Sequence, residues 1–145
     1  MKLKYKKLNE NALEPTYGTE LSAGADLYSV AAGAINIKPG ESAMIHTGIA
    51  VAIPDGHVGL VFARSGLACK RGLAPANKVG VIDADYRGEI LVCLKNESNQ
   101  SQIIGSGERI AQLVVIKYDN CKFEEVEDLE DTDRGSGGFG STGTK

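Results

Sequence analysis

Cysteine is scarce in this chain and poorly placed for bonding. Cys69, Cys93 and Cys121 are odd in number, widely spaced and without a C-x-x-C pair, so neither a disulfide framework nor a zinc site is indicated. They are read as reduced thiols, with Cys93 in the core. The two histidines, His46 and His57, lie far apart in strand-like runs, which gives no local support for a cysteine–histidine nucleophile pair. No run of about 18 apolar residues could span a bilayer, and Met1-Lys2-Leu3-Lys4-Tyr5-Lys6-Lys7 lacks the apolar centre of a signal peptide. The expectation is a soluble, cytoplasmic protein (nuclear is the alternative in a eukaryotic cell) with no membrane partner. A net charge of −3 and a pI near 5.4 exclude the broad basic surface that holds a nucleic acid by its phosphates. Any phosphate site must therefore be local. Helix signals are few.

What is present is a chain of 145 residues, 42% hydrophobic, enough for one core. Strand signals recur at short intervals, as in an antiparallel sandwich or barrel, so the class is all-β. Lysines alternate with Leu3 and Tyr5 as on a protected edge strand. Ala25 to Val30, Ile35 to Ile37 and Ser42 to Ile53 read as strands, with turns at Lys38-Pro39-Gly40-Glu41 and Pro54-Asp55-Gly56. Val58, Leu60 and Phe62 share one face. One short helix is expected within Arg64 to Gly72, opened by Ser65 as a capping residue and stopped by Gly72. Arg109 to Ile116 alternates Ile110, Gln112, Val114 and Ile116 against Ala111, Leu113 and Val115, with Gln112 the polar intruder on its face.

The central stretch runs from Lys78 to Ile90, an apolar arm that turns over Asp83-Ala84-Asp85-Tyr86-Arg87-Gly88 and leads into Leu91 to Leu94. It reads as two antiparallel strands whose turn sets a carboxylate and a phenol toward a sugar and a phosphate, while the hairpin backbone holds a flat base. A plain hairpin with Asp83 as a turn former accounts for the same residues. Arg64-Ser65-Gly66 offers a guanidinium, a hydroxyl and free amides for an anion, or is a simple capping sequence. Asn77 reads a base edge or shapes its loop, and Gln112 bonds a phosphate or satisfies a core backbone group. Asp26 stands near a cation's water shell, or is paired with a nearby basic side chain. Seven of the ten residues from Glu124 to Asp133 are acidic, and the glycine-rich segment after them cannot bury enough apolar surface to order itself. Its lone Arg134 and Phe139 among glycine amides would suit a phosphate nest that closes on a nucleotide. The glycine spacing is neither Walker A nor the dinucleotide fingerprint.

Five stretches in order resemble the motifs of the trimeric deoxyuridine triphosphate nucleotidohydrolases, the dUTPases: Ala23 to Ser29, Arg64 to Ala68, Gly80 to Glu89, Gly107 to Leu113 and Arg134 to Gly143. One departure is Ala63, where the family often has proline, which bears on loop rigidity. The resemblance implies a β jelly roll over residues 1–133 and a flexible glycine-rich arm over 134–145. It also implies a homotrimer with active sites shared between subunits, and hydrolysis of dUTP to dUMP and pyrophosphate. That reaction removes dUTP and supplies dUMP for thymidylate synthesis. By position, Asp83 would activate the attacking water and Tyr86 would exclude a 2′-hydroxyl. Asn77 and the backbone of Gly80, Val81 and Ile82 would read uracil. Arg64, Ser65, Gly66 and Gln112 would hold phosphates, and Arg134, Gly138, Phe139, Gly140 and Ser141 would close from a neighbouring subunit. Mg²⁺ would ride on the triphosphate without a direct protein ligand, Asp26 being the candidate for its outer shell. A dCTP deaminase shares the fold and trimer but not this Asp-Tyr turn with a glycine-rich arm. A nucleotide-sensing module could dispense with Asp83, and a purely structural jelly roll leaves the polar residues unexplained.

Overall fold

Turn residues cut the apolar sequence into strands too short to be stable alone, so each depends on a neighbour. In a computed structural model describing residues 1–138, these strands are β1 (Lys4–Lys7), β2 (Thr16–Tyr17), β3 (Ala25–Tyr28), β4 (Ile35–Ile37), β5 (Ser42–His46) and β6 (Ile49–Ala52). β7 (His57–Phe62) precedes the helix α1 (Ser65–Arg71), and β8 (Leu73–Pro75), β9 (Gly80–Ile82), β10 (Leu91–Asn96), β11 (Gln102–Ile104) and β12 (Arg109–Lys117) complete the order. All pairs are antiparallel: β2-β3-β12-β7-β9 form one sheet, β5-β10-β8 a second, and β1-β6 and β11-β4 two ribbons. Between them lies one core that includes Leu27, Ile37, Ile45, Ile49, Ile90, Leu94, Ile104 and Ile110. The result is an all-β jelly-roll sandwich that is not closed into a barrel. Its one buried amide, Asn96, is satisfied on both sides, donating to the carbonyls of Ile37 and Gln100 and accepting from Ser98.

Several local expectations are corrected. The stretch Ser42 to Ile53 is two strands, because Gly48 takes φ +66° and turns the chain between β5 and β6. Ser65 is not a cap: Arg64 occupies that position without a side-chain cap bond. Ser65 is exposed. Gly72 does end the helix, in the left-handed conformation with its N–H returning to Leu67 and Ala68. A bulge between Arg109 and Ala111 buries both Ile110 and Ala111, which strict alternation would separate. Cys93 is half-buried, since the period of two sends Val92 and Leu94 into the core and Cys93 to the other face.

The largest correction concerns the central stretch. β9 and β10 do not pair; β9 lies against β7, while both edges of β10 are taken by β5 and β8. The two arms thus belong to different sheets, and the residues from Asp83 to Ile90 form an arc from one to the other. Beyond Lys117 the described chain has no further strand or helix up to residue 138. Among the described residues no helix is long and apolar enough to cross a membrane.

The end of α1 is the most constrained of these joints. A Cβ at Gly72 (φ +64°) would sit 2.8 Å from the Ser98 nitrogen and 2.9 Å from its Cβ, so Gly72→Ala adds a backbone clash to the left-handed strain. Urea unfolding should show a loss of about 2 kcal/mol or more; an unchanged midpoint would contradict the packing described.

Candidate active site

The divergence of β9 and β10 opens a cleft of about 270 Å³ lined by residues that include Asn77, Gly80, Val81, Ile82, Asp83, Tyr86 and Cys93. β9 is an edge strand, so on the side away from β7 the backbone of Gly80, Val81 and Ile82 has no strand partner among the described residues. Its seat against β7 is tight. A Cβ at Gly80 would lie 3.2 Å from that of Val61, and one at Gly59 3.1 Å from that of Ile82. Just before β9, Lys78 adopts φ +66° in a turn closed by its N–H to Pro75 O at 2.9 Å, and its ammonium bonds Glu97 at 2.9 Å. That contact holds the Glu97 carboxyl below its usual range. Asn77 sits at the tip of this turn, exposed at the rim of the cleft.

The arc is shaped from within. Arg87 donates to the carbonyls of Ala84 (2.6 Å) and Tyr86 (2.9 Å), and Tyr86 N–H donates to Asp83 O at 3.2 Å. The Tyr86 phenol donates to Glu89 O at 2.9 Å, and its ring lies where a side chain at position 88 would stand, so a side chain there would have to push the ring from this bond. The Asp83 carboxylate is exposed and has no hydrogen-bond partner among the described residues. It is an unpaired carboxylate at the end of an open strand edge.

A second cleft, of about 430 Å³, gathers Asp26, Arg64, Ser65, Gly66, Arg109 and Gln112 with Gly24 and its neighbours. It shares no lining residue with the first. Asp26, on β3, is 8% exposed and accepts from Arg64 Nε at 2.7 Å and from Arg109 Nη1 at 3.3 Å. The pairing that is commoner for such an aspartate is therefore present, and it aims two guanidinium groups. Gln112 lies opposite Asp26 in the β12–β3 register and donates to Ala63 O at 2.9 Å. The first intrahelical bond of α1 is Ala68 N–H to Arg64 O at 2.9 Å, which leaves the amides of Ser65, Gly66 and Leu67 without partners inside the helix. At the far end of α1, Arg71 bonds Gln102, Glu108 and the Ile103 carbonyl, so the helix is braced at one end against β3 and at the other against β11 and the turn before β12. Among the described residues no group of three His, Cys, Asp or Glu side chains could hold a metal ion.

In the C-terminal segment, Arg134 donates to Gly137 O at 2.9 Å and is exposed, and Gly138 is half-buried. Phe139, Gly140 and Ser141 lie outside the described residues. Sequence reasoning missed Arg109, which lines the second cleft, and Gly24. A Cβ there would stand 2.5 Å from Gln112 Oε1, so Gly24 is the clearance that lets Gln112 reach its place. The small-residue run Ala23-Gly24-Ala25 was the available signal.

A bare strand edge fit for a planar heterocycle, a free carboxylate beside it and an arginine-lined cleft suited to anions define a nucleotide-handling jelly roll. The comparisons with known proteins narrow this class. The profile of the dUTPase family matches residues 10–143. The deoxyuridine 5′-triphosphate nucleotidohydrolase of Nautilia profundicola is 51% identical over 143 residues, covering 99% of each chain. That of Rickettsia felis is 50% identical over 142 residues, covering 97% of this chain and 96% of its own. Among solved structures, a staphylococcal bacteriophage 80alpha dUTPase with dUpNHpp superposes with a TM-score of 0.86 at 32% identity, covering 99% of both chains. A dUTPase from phage phi11 of S. aureus, described with a structural Mg(II) ion, gives a TM-score of 0.82 at 29% identity, covering 90% of this chain and 100% of its own. The chain belongs to the dUTPase family.

The clearance at Gly24 makes the second cleft testable. Gly24→Ala should displace the Gln112 side chain and lower affinity for inorganic pyrophosphate about tenfold, near the worth of one hydrogen bond to a charged group. Titration calorimetry measures this, and unchanged affinity would remove Gln112 from the anion site.

Proposed function

We propose that this chain hydrolyses dUTP to dUMP and pyrophosphate, by attack of water on the α-phosphorus. The observation that carries this reading is the free Asp83 carboxylate at the end of the unpartnered β9 edge. With uracil against the backbone of Gly80, Val81 and Ile82 and its polar edge on Asn77, the sugar lies along the arc and the α-phosphate comes to Asp83. Asp83 accepts a proton from the water as its oxygen bonds to phosphorus, and the bond to the bridging oxygen breaks to release pyrophosphate. No covalent enzyme intermediate is needed. The Tyr86 ring forms the wall beside the sugar, where an added 2′-hydroxyl would clash. A 5-methyl group would instead meet the backbone and side chains around the base.

The phosphates need positive charge at fixed positions. Arg64, Ser65, Gly66 and Gln112 supply contacts in the second cleft, with Arg109 as a further cation. Because the clefts share no lining residue, the reading is that one subunit supplies base and sugar contacts while another supplies phosphate contacts, in a homotrimer. The exposure of Phe123, Val126 and Leu129 after the last strand supports burial of that segment by a neighbouring copy. Arg134, Gly138, Phe139, Gly140 and Ser141 would then close over the nucleotide, with Phe139 on the base and glycine amides on the phosphates. The residues present fit Mg²⁺ carried by the triphosphate rather than held in a protein cage. Asp26 spends one acceptor site of each oxygen on an arginine, and a carboxylate retains further lone pairs for a metal-bound water. When bound, the ion offsets phosphate charge.

Three measurements test this reading. Incubation with dUTP, dCTP, dTTP and UTP plus Mg²⁺ should release pyrophosphate mainly from dUTP and ammonia from none. Asp83→Asn should retain the fold and nucleotide binding while turnover falls roughly 10²- to 10⁴-fold; near-normal turnover would exclude Asp83 as the base. Deleting the residues after Asp133 should leave the melting temperature unchanged and turnover severely reduced, and normal turnover would show that the arm takes no part.

A further inference from the structure

Glu89 is the most enclosed of the arc's three carboxylates, its side chain 22% exposed, whereas Asp83 and Asp85 are open to solvent. Its two oxygens are both engaged. Oε1 accepts from Gly48 N–H at 2.7 Å and Oε2 meets His46 Nδ1 at 2.9 Å. The adjoining residue is gripped by the same turn: Ile90 N–H donates to Ile49 O at 2.8 Å, and Thr47 Oγ1 donates to Ile90 O at 2.7 Å. Residues 46 to 49, between β5 and β6, thus clasp the closing end of the arc through its side chain and backbone together. The left-handed Gly48 that presents its amide to Glu89 has no room for a side chain, since a Cβ would lie 2.8 Å from that of Ala12.

The clasp bears on the site through one bond. The Tyr86 hydroxyl donates to the carbonyl of Glu89 itself at 2.9 Å. The Glu89 carbonyl shares a peptide plane with Ile90 N–H, which Ile49 O holds, and the carboxylate anchors the same end of the arc to Gly48 and His46. We propose that Glu89, held by His46 and Gly48, is a positioning residue that sets sugar selectivity through Tyr86. Glu89 borders the first cleft, but its carboxylate oxygens are engaged by Gly48 and His46, and in this scheme it holds neither base nor phosphate. The inference rests on the reading of Tyr86 as the wall beside the deoxyribose. An acidic side chain here serves better than a neutral one because the backbone amide of Gly48 and an imidazole N–H of His46 can both donate to a carboxylate, and such charge-assisted bonds are the stronger kind.

The test is the ratio of kcat/KM for dUTP to that for UTP, with the dUTP-to-dTTP ratio as internal control, measured on the full chain with Mg²⁺. Glu89→Ala should lower the dUTP preference over UTP roughly five- to tenfold, the worth of a single anchoring hydrogen bond, and leave the preference over dTTP within about twofold. Glu89→Gln should recover most of the loss, since its amide oxygen can accept from Gly48 and its amino group can donate to His46. In a Tyr86→Phe background, Glu89→Ala should produce no further change, because the bond through which it acts is already gone. His46→Ala removes one partner from an exposed position and should show the same selective loss at smaller amplitude, a second route if Glu89→Ala does not fold. Equal loss against UTP and dTTP, or additive loss in the Tyr86→Phe background, would overturn the proposal and leave Glu89 a general support of the arc. Tyr86→Ala separates the two levels. If it relaxes selection against UTP while Glu89→Ala does not, the positioning role fails alone; if it relaxes nothing, the sugar-wall reading fails and the inference with it.

Discussion

Both edges of β10 are occupied, and from this pairing constraint the first cleft follows. With β5 on one side of β10 and β8 on the other, the arm that precedes it in sequence cannot zip onto it and must find β7 instead. β9 then becomes the outermost strand of its sheet, with one row of backbone groups unclaimed. In most sheets such a row is a liability to be covered or blunted. Here it borders the cleft that ends at Asp83. A base held by backbone groups is read at fixed positions without the entropy cost of ordering side chains.

The second cleft is organised by charge rather than by pairing. Asp26 is nearly buried, and a carboxylate there is tolerable because two guanidinium groups surround it. The arrangement works in both directions: the arginines stabilise the acid, and the acid sets their direction toward the cleft. Arg71 and Glu108 repeat the device at the other end of α1. A helix of seven residues has little stability of its own, so these ion pairs at its two ends give α1 and its first residue, Ser65, a defined place.

Much of this was legible in the sequence for local reasons. Turn residues marked the strand boundaries, Gly72 the helix end, and the charged residues between two apolar arms marked the arc. Gln112 was visible as a polar residue within an alternating strand. What escaped depends on partners distant in sequence. Arg71 with Glu108, His46 with Glu89 and Arg109 with Asp26 are 37, 43 and 83 residues apart. No local period encodes such separations. The arc was read as a zipped hairpin because β9 and β10 each have the composition of a strand, and composition does not say which edges are already taken. Ser65 has the residue type of a cap but not the position, for Arg64 stands there with its guanidinium drawn away to Asp26.

The chemistry turns on which phosphorus the water attacks. Hydrolysis of dUTP in water enriched in oxygen-18, with the products separated and weighed by mass spectrometry, locates the new bond directly. If Asp83 directs water from the end of the β9 edge to the α-phosphorus, one labelled oxygen enters dUMP and the pyrophosphate remains unlabelled. Label in the pyrophosphate would place the attack on the β-phosphorus, beyond the reach of this arrangement, and would contradict the account.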